Sequence, residues 1–128
     1  MPMTILLLAA AGALGALARY GLGVAMVAML GADLPWATFL VNLLGCLAFG
    51  LVYVLAEGRA LPGLPVSRGV LLVGFLGAFT TFSSFAYEAV DLFRLGRPLV
   101  AATYVLAQNA LGLLGVVGGM ALGRGLVG

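Results

Sequence analysis

Gly74-Phe75-Leu76-Gly77-Ala78-Phe79-Thr80-Thr81-Phe82-Ser83-Ser84-Phe85 is the stretch on which the reading of this chain turns. It lies inside an apolar segment long enough to cross a bilayer, where an unbroken run of ~20 apolar residues is the norm. Here two glycines, four hydroxyl residues and four phenylalanines fall within twelve positions. Gly77 lowers the cost of leaving helical geometry, and Thr and Ser side chains can hydrogen-bond backbone groups that a break sets free. Non-helical backbone at membrane depth survives only where protein or a wet cavity satisfies it. The stretch therefore reads as an interrupted helix at a working site. A continuous helix with a Gly-and-hydroxyl packing face is the competing reading, because small residues are the usual contact between membrane helices.

The rest of the chain sets the frame for that segment. It has 128 residues, 64% of them apolar, and ten charged side chains. This is the composition of a polytopic membrane protein with room for four spans, hence a single transmembrane domain over residues 1–128. Four helices make a thin bundle, so an oligomer is expected. The net charge of +2 is small and scattered, which gives no purchase for nucleic acid. Cys46, the one cysteine, excludes an intrachain disulfide, and no cluster of His, Cys or carboxylate has zinc or iron spacing. The apolar N-terminus has Ala16-Leu17-Ala18 where a signal peptidase site would stand. No Lys or Arg precedes it and the apolar pattern continues, so it reads as the first span.

Span one is predicted over about Ile5 to Leu30. Ala11-Gly15 and Gly12-Ala16 give it a close-packing face, and Arg19 follows on the side of Gly12 and Gly15. Arg19 is either a fixed positive charge near an anion route or a side chain snorkelling to the interface. Span two, about Trp36 to Ala56, begins at an interfacial Trp36. Thr38, Asn42, Gly45 and Phe49 share one of its faces. The Asn42 amide is costly to leave unpaired in hydrocarbon, so it makes an inter-helix hydrogen bond or donates to an anion. Glu57 to Ser67, with Gly58, Pro62, Gly63 and Pro65, reads as a loop. Span three starts at Val66 or Ser67 and ends near Phe93. In it Thr81, Ser84 and Glu88 share a face, beside Phe82 and Phe85. Arg94 to Pro98 is a tight basic turn. Span four is predicted over Leu99 to Leu122, with Tyr104, Gln108 and Gly112 on one face, Asn109 beside them, and Gly115, Gly119 and Gly123 as a packing ladder.

With the N-terminus inside, Arg59, Arg68 and Arg124 face in, and Arg94 and Arg97 face out. Arg19 joins the outer set if it snorkels. Three against two or three gives almost no positive-inside bias, the condition for insertion in both senses and for an antiparallel dimer built from separate chains.

No nucleophile–base pair and no facing carboxylates are visible, which argues against an enzyme. A proton-coupled cation exporter needs a carboxylate at mid-membrane, and Glu88 comes late in its span. No connection is long enough for a potassium-type re-entrant filter. An anion route fits better: Arg19 biases the field, Asn42 and the Thr and Ser hydroxyls donate, and Phe ring edges carry partial positive charge while keeping the path narrow. Such a route favours a very small anion that accepts strong hydrogen bonds. Carbonyls freed by a break could also hold a cation as cement. Two rivals stay open, a small dual-topology cation or drug exporter and a non-transporting assembly subunit.

Several motifs, taken together and in order, resemble those of the Fluc-type fluoride channels. Span one carries Gly15-Ala16-Leu17-Ala18-Arg19-Tyr20, span two Thr38-Phe39-Leu40-Val41-Asn42-Leu43-Leu44-Gly45, and span three Gly74-x-x-Gly77-x-x-Thr80-Thr81-Phe82-Ser83-Ser84-Phe85. The resemblance implies an all-α membrane protein with an interrupted third helix, assembled as an antiparallel dual-topology homodimer with two fluoride pores. It also implies a place in a bacterial-type plasma (inner) membrane. By the resemblance Asn42 donates to the ion, the edges of Phe82 and Phe85 line the route, and Thr38 supports them. Thr81, Ser83 and Ser84 add hydroxyls, Tyr104 and Gln108 lie along a polar track, and Glu88 stands near the mouth. The backbone carbonyls of Gly77 and Thr80 from both subunits hold a structural sodium ion. The implied role is passive export of fluoride that entered as neutral hydrogen fluoride. The chain departs from the family pattern at Ala37, Ala78 and Ser84, each small for small, and more at Gln108 and Gly112, where hydroxyl residues are expected.

Overall fold

The computed structural model describes residues 1–57 and 68–128, and every regular element among them is helical. The expected Glu57–Ser67 loop, with Arg59 and the start of span three, lies outside the described residues, apart from Glu57. Helix α1 covers Pro2–Leu30 and α2 covers Trp36–Glu57. A π-helical run, Val70–Leu76, passes into the α-helical turn Gly77–Phe79; together these form α3. Helix α4 is Phe82–Arg94 and α5 is Pro98–Val127. Four segments, Pro2–Leu30, Trp36–Glu57, Val70–Arg94 and Pro98–Val127, are long and apolar enough to cross a membrane. Even α2 spans about 33 Å at 1.5 Å per residue, enough for a hydrocarbon core of ~30 Å. The protein is a multi-pass membrane protein.

Turn chemistry sets the boundaries. Gly31 (φ 79°) ends α1, its N–H returning to the Val27 carbonyl at 2.9 Å. Gly96 (φ 71°) ends α4 in a Schellman arrangement, in which Gly96 N–H reaches Phe93 O at 3.1 Å and Arg97 N–H reaches Leu92 O at 3.0 Å. Pro98 then opens α5, where a missing N–H costs nothing. Helix α5 runs on past Leu122 to Val127, through Gly123 and Gly125. Gly123 is not a stop signal there, because it is buried against Val54 of α2.

Backbone proximity holds the bundle together. A Cβ on Gly50 would overlap the Val116 carbonyl, and one on Gly119 would overlap the Leu47 carbonyl, so α2 and α5 meet main chain to main chain. On the other side, a Cβ on Gly15 of α1 would overlap the Phe75 carbonyl of α3. Gly45 of α2 takes the Thr80 methyl where its own Cβ would be. Phe85, Ala89 and Leu92 of α4 pack with Ala101 and Tyr104 of α5 into a buried cluster. Outside, Leu14, Leu17, Leu106 and Leu113 are exposed, as expected of a bundle whose outer surface meets lipid rather than water.

The two ends are pinned separately. At one, Arg97 Nη1 donates to the Asp33 carbonyl at 3.1 Å, tying the α1–α2 loop to the α4–α5 turn. At the other, the Arg68 guanidinium lies 4.4 Å over the Tyr53 ring, a cation–π contact joining α2 to the segment that leads into α3.

Candidate functional site

Between α3 and α4 two residues leave helical backbone. Thr80 has φ −78°, ψ 159° and Thr81 has φ −149°, ψ 112°, both extended. Gly77, the residue expected to ease a departure, is itself helical at φ −63°, ψ −35°. The chain departs where a competing partner stands, not where the backbone is most permissive. That partner is Asn42 of α2. Its Oδ1 accepts from Thr81 N–H at 2.8 Å and its Nδ2 donates to the Thr81 carbonyl at 3.0 Å. Both ends of the amide are engaged, which is the inter-helix hydrogen bond allowed for from sequence, and one Nδ2–H is left over. The Thr81 side chain then caps α4: Oγ1 accepts from Ser84 N–H at 3.2 Å and donates to Ser84 Oγ at 3.0 Å, with Ser83 Oγ 3.4 Å away.

These bonds redirect the donors a continuous helix would use internally. Thr81 N–H, which would go to the Gly77 carbonyl, goes to Asn42. Ser84 N–H, which would go to the Thr80 carbonyl, goes to Thr81 Oγ1. The Gly77 and Thr80 carbonyls are thereby left able to accept from something else, a donor set of hard oxygens suited to a cation such as sodium. Thr80 also turns its own Oγ1 back to the Leu76 carbonyl at 3.0 Å.

The two extended residues form one wall of an open groove of about 410 Å³. Asn42, Thr80, Thr81, Phe82, Phe85 and Gln108 all line it, so six residues selected from sequence meet in one place. Phe82 and Phe85 lie 5.6 Å apart between ring centroids, tilted at 58°. Phe85 is buried (6% exposed), while Phe82 stands at the open side (76% exposed). Opposite them, Gln108 is buried and its Oε1 has no hydrogen-bond partner among the described residues. A buried acceptor in that condition is costly unless the groove brings it a donor.

A second constellation adjoins the first through Phe85, whose ring meets Tyr104 edge-on at 5.3 Å. Glu88 is held from two helices: Thr38 Oγ1 donates to Oε1 at 2.6 Å and Tyr104 Oη donates to Oε2 at 2.8 Å. Thr38 is in the first turn of α2 and Tyr104 in the second of α5, so this carboxylate lies toward one membrane face. The sequence placed Thr38 and Tyr104 each on the face of its own helix shared with Asn42 or Gln108, but gave no sign that both donate to the same carboxylate. Gly45, Cys46 and Asn109 also line the groove. Gly45 was legible as part of the Asn42 face and Asn109 as the neighbour of Gln108, whereas nothing in the sequence picked out Cys46 for this place.

Two selected positions stand apart. Arg19, half-buried on α1, is not among the residues lining the groove, and Gly77 is exposed outside it. Helix α1 carries Gly15 against the Phe75 carbonyl of α3 and Gly23 beside Ala37 of α2.

Comparison with known proteins agrees with the motifs. The family model described as "CrcB-like protein, Camphor Resistance (CrcB)" matches residues 6–120. A protein of Nitratidesulfovibrio vulgaris named fluoride-specific ion channel FluC is 48% identical over 120 residues, covering 94% of this chain and 96% of that one. Proteins of the same name from Nitrosococcus oceani (44% over 117 residues; 91% and 93%) and Synechocystis (44% over 112; 88% and 85%) are similar too. With a family model spanning most of its length and relatives matched nearly end to end, the chain belongs to the CrcB (Fluc) family, whose members named here are ion channels and not enzymes.

Proposed function

We propose that the protein is a fluoride-selective channel that lets cytoplasmic fluoride leave the cell passively across the inner membrane. The observation that carries this reading is the groove where Asn42, the extended Thr80-Thr81 pair, Phe82, Phe85 and Gln108 converge. Asn42 fixes the extended backbone and keeps one Nδ2–H for the ion. The edges of Phe82 and Phe85 supply partial positive charge without a full cation that would trap the anion. Thr81, Ser83 and Ser84 place hydroxyls at the start of α4, whose N-terminal dipole end also favours an anion. The Gln108 amide rotates to present Nε2–H in place of its unpartnered Oε1. Thr38 and Tyr104 cover both oxygens of Glu88, which tempers an otherwise repulsive charge near the mouth.

The groove is open along Phe82, so a single chain does not enclose an ion path. A second copy closing it, inserted in the opposite sense, gives an antiparallel dual-topology homodimer with two pores. The Gly77 and Thr80 carbonyls of both copies would hold a sodium ion at the centre, where it supplies fixed positive charge that cements the two breaks. The exporter alternative needs an exchangeable carboxylate at mid-membrane. Glu88 instead lies six residues from Arg94, the end of its helix. Proteoliposomes of the pure protein loaded with fluoride or chloride test the reading. Fluoride should leave much faster than chloride; equal rates would remove the case for selectivity, and no flux of either would favour an assembly subunit.

A further inference from the structure

Two side chains of the groove are not accounted for by an anion alone. Gln108 lines it, is 7% exposed, and keeps its Oε1 without a hydrogen-bond partner among the described residues. A carbonyl oxygen is an acceptor only, so it suits a cation or a donor and not a halide. The second side chain is Cys46, a free, half-buried thiol on the α2 wall of the same groove. The two stand on neighbouring levels. Gly112 follows Gln108 by one turn on the same helix face, and a Cβ built on it would lie 3.5 Å from Cys46 Sγ. Gly112 itself puts no side chain between thiol and amide. The thiol does not satisfy Oε1, so neither group is committed to the other.

A sulfur and a carboxamide oxygen on one groove are a ligand pair for a soft metal, with the sulfur as the strong ligand and the oxygen as a weaker second contact. The chain has one cysteine and no histidine, so no stronger soft site competes. A bare cation is turned away by a path lined with hydrogen-bond donors and ring edges. A neutral, linear halide complex is not, and mercury(II) travels as one, HgCl2.

We propose that Cys46 and Gln108 form a binding site for mercury(II) delivered as its neutral halide complex, and that occupancy closes the groove to anions. The Cys46 S–H bond and one Hg–Cl bond break, an S–Hg bond forms, and a proton and a chloride ion leave to water. No oxidation or reduction is involved. The metal stays linear between sulfur and the remaining chloride, with Gln108 Oε1 as its further contact. The same amide then serves an anion through its nitrogen and a soft metal through its oxygen. The closure rests on the fluoride-channel reading; the metal site does not.

The full-length protein is treated with HgCl2 and followed in two ways. The ultraviolet absorption of the S–Hg bond, monitored while free thiol is added, reports how firmly the metal is held. Gln108→Leu should shorten retention about tenfold. Gln108→Met, close in volume and carrying a thioether, should hold the metal at least as well as the unchanged protein, which separates a lost ligand from a disturbed fold. Equal retention in the unchanged protein and Gln108→Leu means a bare thiol only, and overturns the site. In proteoliposomes, HgCl2 should abolish fluoride efflux, and added thiol should restore it. Efflux through Cys46→Ser should not respond. Inhibition that persists in Cys46→Ser, or undiminished efflux with mercury bound, overturns the closure. Absence of fluoride efflux before any mercury is added counts against the channel reading, while the retention measurement still decides the metal site.

Discussion

Asn42 exchanges two hydrogen bonds with the Thr81 main chain, and much of the site's geometry follows from that exchange. Asn42→Ala leaves a partly buried N–H and C=O without their side-chain partner. The expected cost is about 2–4 kcal/mol, read as a lower melting temperature in detergent. Flux should fall by more than ~10-fold as well, since the same change removes the leftover amide donor. Phe82 and Phe85 separate two roles. Phe85→Ile opens space beside Tyr104 and should lower stability by roughly 1–3 kcal/mol together with flux. Phe82→Ile, at an exposed position, should lower fluoride flux with stability nearly unchanged; normal flux in both variants would refute the aromatic-edge account. At this scale the sequence was a partial guide. It singled out Asn42 as an amide expensive to leave unpaired in hydrocarbon, Phe82 and Phe85 as rings whose edges carry partial positive charge, and Gln108 as a polar residue on the Tyr104 face. It could not say that Asn42 spends its amide on Thr81, because that depends on the rotational phase of α2 against α3 and α4.

Among the helices, α2 and α5 form the most intimate pair, and their glycines are not equivalent. Gly119→Ala would drive a methyl into the Leu47 carbonyl and should destabilise by roughly 1–3 kcal/mol through forced separation of the helices. Gly112→Ala, two turns earlier on the same face, meets only Cys46 Sγ at 3.5 Å. It should be neutral or slightly stabilising, since Ala is favoured over Gly in a helix by about 1 kcal/mol. Melting temperatures of the two variants in one detergent check the pair. The ladder Gly115-Gly119-Gly123 was visible in the sequence as four-residue spacing, but which rung touches backbone was not. The spans themselves were readable from apolar length alone. The π-helical run Val70–Leu76 was not, since six apolar residues and one glycine look the same whether wound as α or π. The end of α5 was read five residues short because Gly123 and Gly125 imitate a stop.

Over the molecule as a whole, charge is arranged with little preference for either side. Arg68 and Arg124 mark one end, Arg94 and Arg97 the other. Dual insertion follows if orientation obeys the arginine count. With Cys46 replaced by Ser and Leu95, exposed in the turn after α4, replaced by Cys, an impermeant thiol reagent should label about half of the molecules from each side of the membrane. Three extra arginines beside Leu95 should shift labelling almost entirely to one side and reduce fluoride efflux from cells that make only this chain. Unchanged efflux would mean that opposed insertion is not needed for conduction. From sequence, the thin bundle and the balanced arginines already pointed to an oligomer; in a single chain the exposed Phe82 and the open groove leave one side of the site uncovered.

Gly45 and Thr80 carry one last implication. The threonine methyl occupies the volume that any larger residue at 45 would claim. Thirty-five positions apart along the chain, the two share a single allotment of space, so bulk gained at one must be surrendered at the other. Descendants of this gene that alter either site are viable chiefly when both drift in concert.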